Sequence, residues 1–242
     1  MHDYQSSRAI IMEYIAIVIL ILIIPISCYY VYKYGKKAGV DWLLSLLFKS
    51  GFDAKVAGFK KQNSFVKKGG IVFVGDSITQ DYNVYEYYPE FHVYNRGIGG
   101  DTTEGLLKRL DESIFELEPK TVVLLMGTND FGVLNAHPVD VFERMKIIIN
   151  TIQERLTETK IILISVYPVN PKLDPTSVGT RNNANIQKLN SLYQSISGVQ
   201  YINLFDMLKD EEGHLKKEYS VEGLHINQNG YEIITTELKK YL

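Results

Sequence analysis

The sequence predicts an α/β fold, a three-layer α/β/α sandwich around a five-stranded parallel sheet, preceded by one N-terminal transmembrane helix. Three observations carry this. Five short apolar runs rich in β-branched residues have strand length and read as strands buried on both faces. The segments between them repeat apolar residues at helical spacing. The runs also stand too far apart for hairpins, so the strands lie parallel with helices covering both faces. With 45% hydrophobic residues among 242, one domain plus an N-terminal extension is accommodated.

Residues 1–13 read as a tail. From Tyr14 to Tyr32 nineteen residues carry no charge, and most are Ile, Val, Leu or Ala. At about 1.5 Å per residue they reach roughly 28 Å, close to the hydrocarbon thickness of a bilayer. The alternatives are a buried core helix or a signal peptide, but the run is long for a signal core and lacks an Ala-x-Ala site. Pro25 is tolerated in a membrane helix, and Tyr29, Tyr30, Tyr32 and Tyr34 suit an interfacial belt. The expectation is a single-pass protein of the cell membrane. Lys33, Lys36 and Lys37 after the span outweigh Arg8 before it, and this bias favours a cytoplasmic catalytic face. A juxtamembrane linker covers 33–69. Within it Trp42 to Phe52, with Leu43, Leu44, Leu46, Leu47 and Phe48, reads as an amphipathic helix lying on the membrane or packed on the domain that follows.

The domain at 70–242 alternates strands and helices. Ile71-Val72-Phe73-Val74 is the first strand and Phe91-His92-Val93-Tyr94-Asn95 the second. A helix from about Thr102 to Leu117 carries Leu106, Leu107, Leu110 and Ile114 on one face. Asp101, with Glu104 three residues on, reads as its N-cap. Thr121-Val122-Val123-Leu124-Leu125-Met126 is the third strand. Pro138 opens a helix with Val141, Phe142, Met145, Ile148, Ile149 and Ile152 on one stripe, ending near Leu156. Ile161 to Val166 is the fourth strand. A helix over about Asn182 to Ser197 leads to the fifth, Gln200 to Leu204, and a helix from Asn229 to Tyr241 follows.

Four separated segments read together as one site: Gly75-Asp76-Ser77-Ile78-Thr79, Gly97-Ile98-Gly99-Gly100-Asp101, Gly127-Thr128-Asn129-Asp130 and Glu222-Gly223-Leu224-His225. Ser77 follows a strand, which would deliver its hydroxyl to the carboxyl edge of the sheet, where open α/β sheets bind ligands. A serine hydroxyl needs a base within hydrogen-bond reach, and the base needs an orienting acceptor. His225 is the candidate base. Glu222, three residues earlier, reaches its other ring nitrogen if the segment is a tight turn. The oxyanion of acyl transfer needs preorganised donors, for which the Ser77 N–H, the Gly100 N–H and the Asn129 amide are available. Asp76 reads as a brace of the nucleophile turn. Tyr167-Pro168-Val169-Asn170-Pro171 reads as pocket lining or as a plain Pro-rich loop.

On these residues the chain resembles the SGNH (GDSL-like) hydrolases, whose blocks are Ser, Gly, Asn and His in that order. The resemblance covers Gly70 to Leu242. The segment from Asn95 to Thr103 is similar to the platelet-activating-factor acetylhydrolase-like acylhydrolases within that family. The resemblance implies a flavodoxin-like hydrolase domain and a carboxylic ester hydrolase, with lipase and acylhydrolase relatives. It makes Ser77 the nucleophile, Gly100 and Asn129 oxyanion donors, and His225 the base. The family has Asp-x-x-His where this chain has Glu222, one methylene longer. The implied substrate is a small-molecule or lipid ester, with short acyl groups and acetylated sugars included. A catalytically weak binding or scaffold protein, or an acyltransferase on the same site, stays open.

Other function classes fail on residues. Gly97-Ile98-Gly99 invites a dinucleotide fingerprint, but Thr102 stands at its sixth position. Thr79 occupies the second glycine position of the Gly-x-Ser-x-Gly elbow. His2, His92, His137, His214 and His225 are scattered without metal-ligand spacing, and the esterase chemistry requires no cofactor. A formal charge of −2 gives no basic field for a nucleic-acid partner. One cysteine, Cys28, excludes an internal disulfide framework. The oligomeric state is not legible.

Overall fold

The computed structural model describes the backbone of residues 2–242; the side chains of residues 2–11, Glu13, residues 16–18, Asp41 and Leu44 lie outside the described residues. The chain divides into two compact units, Met1–Ser50 and Gly51–Leu242.

The first unit is helical. It consists of the greater part of α1 (His2–Asn63), whose last turns from Gly51 belong to the second unit. Among the described residues no helix is long and apolar enough to cross a membrane. The transmembrane segment expected at 14–32 is therefore not retained, and the single-pass placement in the cell membrane, with the orientation drawn from it, falls as well. Part of that expectation, the side chains of Ala16, Ile17 and Val18, lies outside the described residues. The helix continues without a break through Lys33, Lys36 and Lys37. Trp42, Leu43, Leu46, Leu47 and Phe48 lie on this helix and are exposed.

In chain order the second unit continues with β1 (Ile71–Gly75), α2 (Ser77–Gln80), α3 (Val84–Tyr87), β2 (Val93–Gly97), α4 (Thr103–Leu107), α5 (Leu110–Ser113), β3 (Thr121–Leu125), α6 (Thr128–Gly132), α7 (Pro138–Arg155), β4 (Lys160–Ile164), α8 (Pro175–Val178), α9 (Asn183–Gln194), β5 (Gln200–Ile202), α10 (Phe205–Leu208) and α11 (Gln228–Leu238). The five strands are all parallel, in the order β2-β1-β3-β4-β5. That order reverses direction between β1 and β3, the switch point at which open α/β sheets bind ligands.

Strand residues alternate between two cores because successive side chains point to opposite faces. Val72, Val74, Val122, Leu124, Ile161 and Leu163 meet Leu106, Met145, Ile148, Ile149, Ile186 and Leu189 from α4, α7 and α9. Ile71, Phe73, Val123, Leu125, Ile162 and Ile164 meet Ile78, Val84, Tyr231, Ile234 and Leu238 from α2, α3 and α11. The layers are therefore helix, sheet, helix.

The helix expected over Thr102 to Leu117 is broken into α4 and α5. Between them Arg109 takes a non-helical backbone, φ −132° and ψ 20°, with its side chain wholly buried. The expected N-cap also moves by one residue. Thr102 caps α4 by accepting from the Gly105 N–H, while Asp101 pairs with Arg109.

The packing carries a direct expectation. Leu124→Ala, in the centre of the sheet and fully buried, should destabilise the protein by about 2–5 kcal/mol in urea unfolding. Leu46→Ala, on the exposed surface of α1, should change it by no more than about 0.5 kcal/mol.

Candidate active site

The nucleophile candidate sits where β1 becomes α2 with no intervening loop. Gly75 makes this possible: a β-carbon there would collide with Thr79 Oγ1 and lie 2.7 Å from the Leu125 carbonyl oxygen. Asp76 caps α2, its Oδ1 accepting from the Ile78 N–H at 2.9 Å. Ser77 is the first residue of that helix, so its N–H has no intrahelical partner. From the opposite side Tyr231 donates to the Ile78 carbonyl at 2.8 Å.

His225 Nε2 lies 3.0 Å from Ser77 Oγ. Its Nδ1 lies 2.5 Å from Glu222 Oε1, which also accepts from the His225 N–H at 3.2 Å. A tight turn supplies this reach. Gly223 has φ +99°, its N–H donates to Ser220 Oγ at 2.6 Å, and its carbonyl accepts from the Asn170 N–H at 2.7 Å. A side chain at Gly223 would strike the Asn170 carbonyl. The segment Tyr167 to Asn170 is buried, and through Asn170 it supports this turn from behind.

Gly100, the other expected backbone donor, lies on the loop after β2, and Asn129 is the second residue of α6, which follows β3. Gly100 has φ +76°, in the left-handed region that glycine enters without strain. The Asn129 amide donates from Nδ2 to the Asp101 carbonyl at 3.0 Å, and its Oδ1 accepts from Arg181 Nη2 at 2.7 Å. Each –NH2 carries two hydrogens, so one Nδ2–H is left over once Asp101 is satisfied.

Two buried charged clusters beneath these loops were not foreseen. Arg109 binds Asp101 Oδ2 through Nε and Nη2, both at 2.8 Å. It further donates to the Arg96 carbonyl at 2.8 Å, the Gly75 carbonyl at 3.0 Å and Ser113 Oγ at 2.7 Å. Asp130 accepts from Thr103 Oγ1 at 2.5 Å and from Arg144 Nη2 at 3.1 Å. One signal was present: Arg109 interrupts the apolar stripe of Leu106 and Leu110. Arg181, in the loop between α8 and α9, carried no signal. Among the described residues no group of three His, Cys, Asp or Glu side chains could hold a metal ion.

Burial pushes the Asp76 carboxyl up to about 7, against the opposing pull of the Ile78 N–H, His225 and Arg181. A hydroxyl, an imidazole and a carboxylate in line, beside a half-committed amide at the carboxyl edge of a parallel sheet, form an arrangement able to attack an ester carbonyl and hold the resulting charge. Fold and site together define a carboxylic ester hydrolase.

The comparisons with known proteins specify this class. Residues 73–233 match the model of the GDSL-like Lipase/Acylhydrolase family, about two thirds of the chain, and the chain belongs to that family. It is 29% identical over 182 residues to platelet-activating factor acetylhydrolase IB subunit alpha2 of Rattus norvegicus, covering 73% of this chain and 77% of that one. It is 32% identical over 185 residues to the N-acylneuraminate cytidylyltransferase of Escherichia coli O18:K1:H7; the match takes in 74% of this chain but spans only 42% of that relative's length. Among solved structures, a Streptococcus pneumonia protein provisionally described as a platelet activating factor superposes with a TM-score of 0.80 at 31% identity, covering 84% of this chain and 98% of that one. The lipase/acylhydrolase from Enterococcus faecalis superposes with a TM-score of 0.59 at 27% identity, covering 72% and 96%.

The raised Asp76 value makes a signed expectation. A carboxyl near 7 in the folded chain and at its ordinary 3.8 when unfolded binds more protons folded than unfolded between those values. Its contribution to stability therefore falls as pH rises from about 4 to about 7. Asp76→Asn keeps an oxygen for the Ile78 N–H and removes the titration. Its Tm advantage over the parent should be larger at pH 8 than at pH 4.5, and a pH-independent difference would refute the assignment.

Proposed function

We propose that the protein hydrolyses carboxylic esters of short acyl groups through an acyl-enzyme on Ser77. The observation that carries the reading is the contiguous line from Ser77 Oγ to His225 Nε2 and from His225 Nδ1 to Glu222 Oε1. His225 takes the Ser77 proton as Oγ bonds to the ester carbon, and the carbonyl electron pair moves onto oxygen. The N–H groups of Ser77 and Gly100 and the remaining Nδ2–H of Asn129 receive that oxyanion. Its collapse breaks the bond to the alcohol, which leaves with the proton from His225. Water, deprotonated by His225, then attacks the acyl-enzyme and releases the acid and Ser77.

Glu222 fixes the tautomer of His225 and stabilises the imidazolium. The extra methylene relative to the family pattern is taken up by the Gly223 turn. This favours a working hydrolase over a binding protein that has lost its activity. The short acyl group is supported by the relatives that are acetylhydrolases by name.

The test is hydrolysis of p-nitrophenyl acetate, butyrate and octanoate. Activity on acetate above octanoate, abolished in Ser77→Ala, is the expected result; a Ser77→Ala variant with parental activity would overturn the mechanism. Products acylated on an added alcohol would identify a transferase instead. Asn129→Ala should lower kcat on the order of 10²- to 10³-fold with KM changed far less. Glu222→Asp is expected to reduce kcat, since this turn is built for the longer acid; a gain in rate would show that the carboxylate here is misplaced.

A further inference from the structure

The amide of Asn129 can act on an oxyanion only if its nitrogen faces the substrate. Turned over, it would present a lone pair to a developing negative charge. Two partners settle the orientation by their chemistry. The Asp101 carbonyl only accepts, and it takes a hydrogen of Nδ2 at 3.0 Å. The Arg181 guanidinium only donates, and it gives Nη2–H to Oδ1 at 2.7 Å. The neighbouring backbone is held by the same side chain, since Arg181 Nε donates to the Thr128 carbonyl at 3.1 Å.

Arg181 is itself fixed. Its Nη1 donates to the Val178 carbonyl at 3.0 Å, at the end of α8. Thr180, one residue before it, donates to the Phe131 carbonyl in α6 at 2.9 Å. The guanidinium also occupies the space where a side chain at Gly132 would stand: a β-carbon there would overlap Cζ and lie 2.5 Å from Nη1. The last residue of α6 is thus a glycine whose missing side chain admits the group that orients the second residue of the same helix.

We propose that Arg181 is the positioning residue for the oxyanion donor Asn129, and that Gly132 is the vacancy that lets it reach. This rests on the Ser77 hydrolase reading. Arg181 touches no reacting atom. It locks the amide with nitrogen outward, and a positive charge against Oδ1 polarises the amide so that its remaining N–H becomes a stronger donor. Its effect therefore passes through Asn129 and concerns the transition state more than substrate binding.

The experiment compares the parent, Ser77→Ala, Asn129→Ala, Arg181→Ala, Gly132→Ala and the double variant Asn129→Ala with Arg181→Ala. It measures kcat and KM on p-nitrophenyl acetate, and the rate of Ser77 phosphonylation by a fluorophosphonate probe. Arg181→Ala should lose roughly ten- to a hundredfold in kcat, bounded above by the loss from removing an oxyanion donor, with KM within about twofold. The phosphonylation rate should fall in parallel, and added guanidinium ion should restore part of both. In the double variant the loss should equal that of Asn129→Ala alone, because one effect acts through the other.

Gly132→Ala, whose methyl displaces the guanidinium, should reproduce the kcat loss and carries the test if Arg181→Ala does not fold. Parental kcat in either folded variant, or losses that multiply with that of Asn129→Ala, would overturn the assignment of Arg181 alone. A parent inert to both ester and probe would overturn the Ser77 reading, and this assignment with it.

Discussion

The arrangement of the site depends on one fully buried guanidinium. Arg109 donates to the carbonyl of Gly75, where β1 ends, and to the carbonyl of Arg96, one residue before β2 ends. It also holds the carboxylate of Asp101, whose own carbonyl receives the Asn129 amide. Three loops from three adjacent strands are thus tied to one side chain. Removing one partner of a buried pair leaves a charge with no compensation, at a cost of about 3–5 kcal/mol. The continuous helix expected across this region yields for that reason. An unbroken helix from Thr102 would satisfy its own backbone, but the observed break at Arg109 lets its guanidinium reach four acceptors: the carbonyls of Gly75 and Arg96, the Asp101 carboxylate and the Ser113 hydroxyl.

Much of the fold was legible because apolar periodicity is a local property. The five strands are parallel and overlap the runs, such as Ile71 to Val74 and Thr121 to Met126, that predicted them, and α7 and α9 match their expected ranges to within a few residues. The second strand shifted toward Gly97, because its register is set by pairing with β1 and not by its own apolar content. The four blocks could be picked out because acyl transfer, the proposed chemistry, demands particular side chains whatever the surroundings.

What the sequence did not display is held by groups whose role appears only when distant segments meet. Arg181 has no local pattern to mark it, and the position of Gly132 is meaningful only beside a guanidinium almost fifty residues away. The apolar run near the N-terminus misled for the opposite reason. That run has the composition of a span but belongs to one helix that continues through Lys33, Lys36 and Lys37, and among the described residues no helix is long and apolar enough to cross a membrane.

The bond between Ser77 and His225 joins residues 148 positions apart. Gly100, Asn129 and the β1–α2 junction come early in the chain, and the turn that carries the proposed base His225 comes after all five strands. Loop-closure entropy must be met before so distant a contact forms. A chain emerging from the ribosome can therefore build the sheet, the Arg109 hub and α6 with Asn129 while Ser77 still lacks its proposed base. On the proposed mechanism, Ser77 is an ordinary alcohol until the Gly223 turn docks against Asn170, so reactivity would come last, after the scaffold that confines it is complete.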